Sequence, residues 1–278
     1  MISAKARIRI GFAALWLALP TTLMMALGAC TSTVTQTEVK SDNAPSAPAT
    51  DEASLNRRAG VRLELASLYF ARGQPNTALN EIDTAIKIKP DNAQAYNLRG
   101  LIYASLGDTA SAEQNFQRAL QINPRDSSAM QNYGWFLCQN QRYGPAEEQF
   151  QRALNQPGYR DAAQTLRAMG NCQARDGRLQ EALQSLLRSY QFDPSNAATA
   201  VNLAEVLYKL GDYERARFYI ARVNSMPDQT NAQSLWLSAR IERRIGNETQ
   251  VRAIGNKLRD SYPQSPEALA FDQGRFNE

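Results

Sequence analysis

The chain has 278 residues, 43% of them hydrophobic, with 31 basic and 27 acidic side chains for a net charge of +4. It contains no histidine and only three cysteines, Cys30, Cys138 and Cys172. Without histidine the commonest general base and metal ligand is missing. No Gly-rich phosphate loop or metal-ligand spacing appears either, so no catalytic, cofactor or metal site is expected.

The N-terminus opens with Lys5, Arg7 and Arg9, and no acidic residue occurs before Glu38. An apolar run from Ile10 to Leu27 follows, interrupted at Pro20, and small residues Gly28 and Ala29 precede Cys30. Positive, apolar, small is the order of a secretory signal. A retained membrane helix is the alternative, since about 18 apolar residues can span a bilayer. Pro20 and the Leu27-Gly28-Ala29-Cys30 ending weigh against it. That ending resembles a bacterial lipobox, in which cleavage precedes the cysteine and its sulfur is acylated. The resemblance implies residues 1–29 as signal peptide and Cys30 as the lipidation site. Thr31 and Ser32 follow, with no aspartate to suggest inner-membrane retention. The implied location is the outer membrane, facing the periplasm.

Removing the signal removes three basic residues and no acidic one, leaving 28 against 27, or +1. No basic cluster with interleaved aromatics remains, so nucleic acid is not an expected partner. Residues 31–54, "TSTVTQTEVKSDNAPSAPATDEAS", are poor in large apolar residues. Such a segment cannot offset its ordering entropy, and with Cys30 it reads as a disordered linker, residues 30–54. Its root-mean-square span as a flexible coil is roughly 27 Å.

From residue 55 to 278 the sequence repeats itself. "GQPNTALNEIDTAIKIKPDN" at 73–92 returns as "GDTASAEQNFQRALQINPRD" at 107–126 and "GRLQEALQSLLRSYQFDPSN" at 177–196. Ala78, Ala112, Ala146, Ala182 and Ala216 align, and Pro90, Pro124 and Pro194 close three units. The 34-residue spacing is that of tetratricopeptide repeats. The prediction is an all-α superhelical solenoid of six helix-turn-helix units, 59–92, 93–126, 127–162, 163–196, 197–230 and 231–264. A capping helix begun by Ser265 and Pro266 ends it. Gly100, Gly134 and Gly170 recur in the first helices, where they let a pair approach closely. Tyr103, Phe116, Phe150 and Leu186 are expected to fill the space between units. No unit can hide its apolar face alone, so stacking makes the core.

Solenoids of this kind are most often interaction scaffolds. By the usual repeat geometry, positions 2, 5, 9, 12 and 13 of each first helix line the concave groove. These include Leu63, Ser67, Phe70, Asn97, Leu101, Gln131, Trp135, Arg167, Asn171, Arg175, Glu205 and Tyr208. The mixture of apolar, aromatic and amide groups suits a peptide read by hydrogen bonds and one or two anchors. Packing or plain solvation is the alternative for each residue, and Trp135 could be inter-repeat core. Cys138 and Cys172 fall in neighbouring first helices. An even pair in an oxidising compartment suggests a disulfide; two buried free thiols are the alternative.

Two stretches depart from generic repeats. "NYGWFLCQNQRYGPAEEQFQRAL" at 132–154 contains Asn132, Tyr133, Gly134, Phe136 and Leu137 in an Asn-Tyr-Gly-x-Phe-Leu pattern. Residues 231–271 place Leu235, Arg240, Leu258, Tyr262, Pro263 and Ser265 in a distinctive terminal repeat. Both resemble the type IV pilus biogenesis and stability lipoproteins, the PilF/PilW family. The resemblance implies a non-enzymatic, pilotin-like scaffold whose partners are pilus secretin subunits and other type IV pilus proteins. It implies attachment to the membrane through the lipid. The alternative is a periplasmic tetratricopeptide lipoprotein that organises cell-wall synthases or hydrolases.

Overall fold

The computed structural model describes residues 47–276, with side chains from Asp51 onward. Cys30, the signal and most of the expected linker lie outside the described residues.

Thirteen α-helices and no strand make up the described residues. They pair as α1 (Ala47–Ala71) with α2 (Pro75–Ile88), α3 (Ala93–Ser105) with α4 (Thr109–Ile122), and α5 (Ser127–Gln139) with α6 (Tyr143–Leu154). The series continues as α7 (Ala162–Arg175) with α8 (Leu179–Phe192), α9 (Ala197–Lys209) with α10 (Tyr213–Asn224), and α11 (Ala232–Ile245) with α12 (Glu248–Ser261). The short α13 (Pro266–Asp272) ends the series. The arrangement is the superhelical tetratricopeptide solenoid that the repeats predict.

One boundary needs correction. The expected disordered linker runs to Ser54, but α1 begins at Ala47. Residues 47–54 instead extend a helix whose later turns pack on α2. Once a helix is nucleated by packing, each added residue costs little. Pro48 sits in the first turn, where its missing N–H is harmless.

The prolines and the residues after them explain the sharp helix boundaries. Pro90, Pro124 and Pro194 stop one unit, and two residues later Asn92, Asp126 and Asn196 cap the next first helix. Their side chains accept from the backbone N–H of Ala95, Ala129 and Thr199. Each such cap is worth about 1 kcal/mol. Within pairs the turn residue has positive φ: Gly73, Gly107, Gly177, Gly211 and Gly246. In the third pair Gln141 takes that place at φ 60°, which costs a residue with a Cβ about 1–2 kcal/mol.

The glycines of the first helices do what their recurrence predicts. A Cβ on Gly134 would stand 2.9 Å from the Phe150 ring, and one on Gly170 would stand 2.7 Å from Leu186 Cγ. Phe116 lies equally close to Gly100. It also reaches the next unit, with ring centroids 5.7 Å from Tyr133 and 5.4 Å from Phe136. Phe116, Phe150 and Leu186 are fully buried. At the C-terminal end α13 and the residues just after it pack on α11 and α12, with Phe271 and Phe276 against Trp236 of α11.

Candidate functional site: the groove across the first helices

The Asn132–Leu137 stretch builds the floor of the middle of the solenoid. Leu137 and Phe136 are buried, and Gly134 admits Phe150 from α6. The Tyr133 hydroxyl donates to Glu113 at 2.8 Å, and Arg142 donates to the same carboxylate at 2.6 Å. Burial opposes ionisation of Glu113, but the hydrogen bonds from Arg142 and Tyr133 outweigh it and hold its pKa below the ordinary value. This knot ties the second unit to the third.

With the floor fixed, α5, α7 and α9 present two adjoining clefts. The first, about 270 Å³, is lined by Gln131, Asn132, Trp135, Gln164, Arg167, Ala168 and Asn171. The second, about 310 Å³, takes in Trp135 and Asn171 again, with Ala174, Arg175, Asn202, Glu205, Val206 and Lys209. Trp135 and Asn171 form the ridge between them. The guanidinium of Arg175 sits 5.2 Å from the Trp135 ring centroid, a cation–π geometry worth about 0.5–1 kcal/mol when exposed. Trp135 is therefore half-buried, with its foot against the core and one face toward the clefts.

Six of the expected groove residues, Gln131, Trp135, Arg167, Asn171, Arg175 and Glu205, line these clefts. Gln131 is also committed to the scaffold, since its Oε1 accepts from the Tyr159 hydroxyl at 2.9 Å and from Thr165 at 3.1 Å. Burial pushes the Tyr159 hydroxyl above its ordinary pKa, so it stays a donor. Asn97 lies one unit back, accepting from Asn132 at 3.2 Å. Tyr208, also on α9, lines neither cleft and lies under Arg240 of α11 at 4.8 Å and within 3.4 Å of Arg244.

The remaining three apolar residues sit differently. Leu63 and Phe70 pack against the core of the first units, and Leu101 packs against the core of the middle units. Ser67 is exposed and returns its hydroxyl to the Leu63 carbonyl. Leu63, Phe70 and Leu101 line neither of the two clefts.

Gln164 and Lys209 also line the clefts, at positions 2 and 13 of the expected groove register, whereas sequence reasoning missed Asn132 and Asn202. Asn132 and Asn202 stand at position 6 of their units, one residue beyond the expected groove position, and their repetition was the available signal.

Cys138 of α5 and Cys172 of α7 are joined, with Cα atoms 5.8 Å apart. The bridge spans the two helices that flank the first cleft. No group of three or more His, Cys, Asp or Glu residues able to hold a metal occurs among the described residues. No described helix is long and apolar enough to cross a membrane.

Tetratricopeptide-repeat family models match residues 63–127, 103–170 and 173–240. The chain belongs to the tetratricopeptide-repeat family. Among solved structures it resembles PilW, described as a widely conserved type IV pilus biogenesis factor, at 27% identity and a TM-score of 0.72. That match covers 76% of this chain and 97% of PilW. It also resembles PilF of Pseudomonas aeruginosa at 22% identity and a TM-score of 0.70, covering 80% of this chain and 99% of that one. A tetratricopeptide repeat-containing thioredoxin of Arabidopsis thaliana, TTL4, is 34% identical over 83 residues. Those residues are 30% of this chain and 12% of that protein's length, so the likeness concerns repeats alone.

Proposed function

We propose that this tetratricopeptide-repeat protein is a periplasmic scaffold held at the bacterial outer membrane by lipid on Cys30. Its pilotin-like role is to help secretin subunits reach the membrane and multimerise, supporting type IV pilus biogenesis or stability. The observation that supports this most is the likeness to PilW along nearly all of that protein, in a chain whose Asn132–Leu137 motif floors an open groove. The clefts suit a peptide. Trp135 offers an apolar anchor, the amides of Asn132, Asn171 and Asn202 can read a backbone, and Arg167 and Arg175 favour acidic or carbonyl groups. The work is binding: a tether raises local concentration, making subunit encounters effectively intramolecular.

Co-purification from detergent-solubilised membranes with crosslink mapping tests the reading. Secretin or pilus proteins crosslinked to α5, α7 and α9 are expected. Recovery of cell-wall synthases or hydrolases in their place would transfer the chain to the rival class. The anchor is tested separately. Cys30→Ser should abolish fatty-acid labelling and release a folded protein from the membrane fraction. Retained label would remove Cys30 from the proposal.

A further inference from the structure

A second surface lies on the second helices of the pairs. The residue eleven positions after the positive-φ turn is Arg118, Arg152, Arg188, Arg222 and Lys257 in the last five pairs; only the first pair differs, with Thr84. A residue at one repeat position in successive units occupies the same side of a solenoid. The five cations therefore form a ladder, and all five side chains are exposed.

None of the five forms an ion pair among the described residues. Their neighbours one turn away on the same helices include Gln114, Gln121, Gln149, Gln184 and Gln191, and only Glu148 and Asp260 there are acidic. Several of the cations are held in place without being neutralised. Arg118 lies 5.8 Å from the Tyr96 ring centroid and Arg222 lies 5.9 Å from that of Tyr190. Arg152 donates to Gln149 at 3.0 Å. Phe192 and Phe218 are 66% and 62% exposed, four residues from Arg188 and Arg222 respectively. Beyond these contacts, no ion pair among the described residues offsets the repulsion among like charges in one register.

We infer that this ladder is a docking surface for an extended acidic protein segment, separate from the groove at Trp135. One cation per repeat is sparse beside nucleic acid, which carries a phosphate every ~3.4 Å of strand. The ladder follows the solenoid's twist, so a flat bilayer meets only part of it, whereas a flexible chain can track it. The intervening amides can hydrogen-bond a peptide backbone. Phe192 and Phe218 give apolar contact between charges. The inference does not depend on the secretin reading, because it uses different helices.

The test uses the full chain carrying Cys30→Ser, with fluorescent poly-glutamate as probe and anisotropy as readout at low salt. Binding is expected, weakening as salt rises. The triple change Arg152→Gln, Arg188→Gln and Arg222→Gln should weaken it at least about tenfold, since each exposed pair contributes a fraction of a kcal/mol. The matching triple change to Lys should retain most of the binding. A circular-dichroism melt like that of the parent shows that the loss is not unfolding. Equal binding by the triple Gln chain overturns the inference. So does tighter binding to phosphatidylglycerol vesicles or to oligothymidylate than to poly-glutamate.

Discussion

Trp135 and Trp236 are the two tryptophans of the repeat region, both on first helices and both half-buried. Trp135 opens onto two clefts and has Arg175 against its ring. Trp236 is covered by the chain's own end: the Phe276 centroid lies 5.1 Å away and that of Phe271 lies 6.4 Å away. Arg240 even donates to the Phe276 carbonyl, as it would to a bound peptide. The same residue type at similar exposure thus has opposite standing. At the end of the solenoid the chain supplies the aromatic partner, and in the middle it leaves the place open.

The largest way to break that contrast is to remove what stiffens the middle. Phe150 is fully buried against Gly134, one residue before Trp135. Phe150→Ala should cost about 3–5 kcal/mol in urea or thermal unfolding, through lost burial and the cavity left behind. A loss under about 1 kcal/mol would mean that the middle collapses freely and that its floor is not rigid.

The bridge between Cys138 and Cys172 is the next largest effect. It crosses from α5 to α7 beside the first cleft, with 34 residues of sequence separation. Loop-closure entropy gives about 3–4 kcal/mol for such a link before native strain is subtracted. Cys172→Ala should lower stability toward that amount and loosen the cleft, while leaving Trp236 and its cover as they are. Non-reducing mass spectrometry of the protein expressed in an oxidising bacterial periplasm should find one crosslinked peptide pair. Two freely alkylatable thiols without reductant would remove the bridge.

Much of this arrangement is legible in the sequence because periodic packing leaves periodic residues. Gly100, Gly134 and Gly170 announce close helix pairs, and Pro90, Pro124 and Pro194 mark unit ends. Gln141 hides the third turn, because nothing in its chemistry signals a left-handed backbone. The start of α1 at Ala47 was hidden by the Pro, Ser and Thr content of the preceding residues, since the packing that extends the helix comes from later turns. In the groove, position alone placed Leu63, Phe70 and Leu101, which pack against the core and line neither cleft. Asn132 and Asn202 carry no apolar period, so only their repetition betrays them.

Uncovering Trp236 sharpens the contrast with a middling effect. Phe271 is half-buried over Gly255 and beside Trp236. Phe271→Ala should cost about 2 kcal/mol, less than a fully buried ring. Tryptophan emission should shift to the red and acrylamide quenching should rise. Unchanged fluorescence would mean that α13 does not shield Trp236.

The smallest stability effect belongs to Trp135, and it decides between anchor and core. Trp135 packs against the core from one side and is only partly covered, so Trp135→Ala should cost about 1–2 kcal/mol of folding free energy, below a fully buried truncation. Removing a central aromatic anchor typically costs 2 kcal/mol or more of binding, about thirtyfold in Kd. Trp236→Ala should do the reverse, because its partners are Phe271 and Phe276 of the same chain. It should lower the melting temperature more than Trp135→Ala does and leave partner affinity alone. Paired melts and partner titrations of the two variants therefore read out the contrast directly. If both variants lose stability equally and neither loses affinity, Trp135 is core packing and the open groove is read elsewhere.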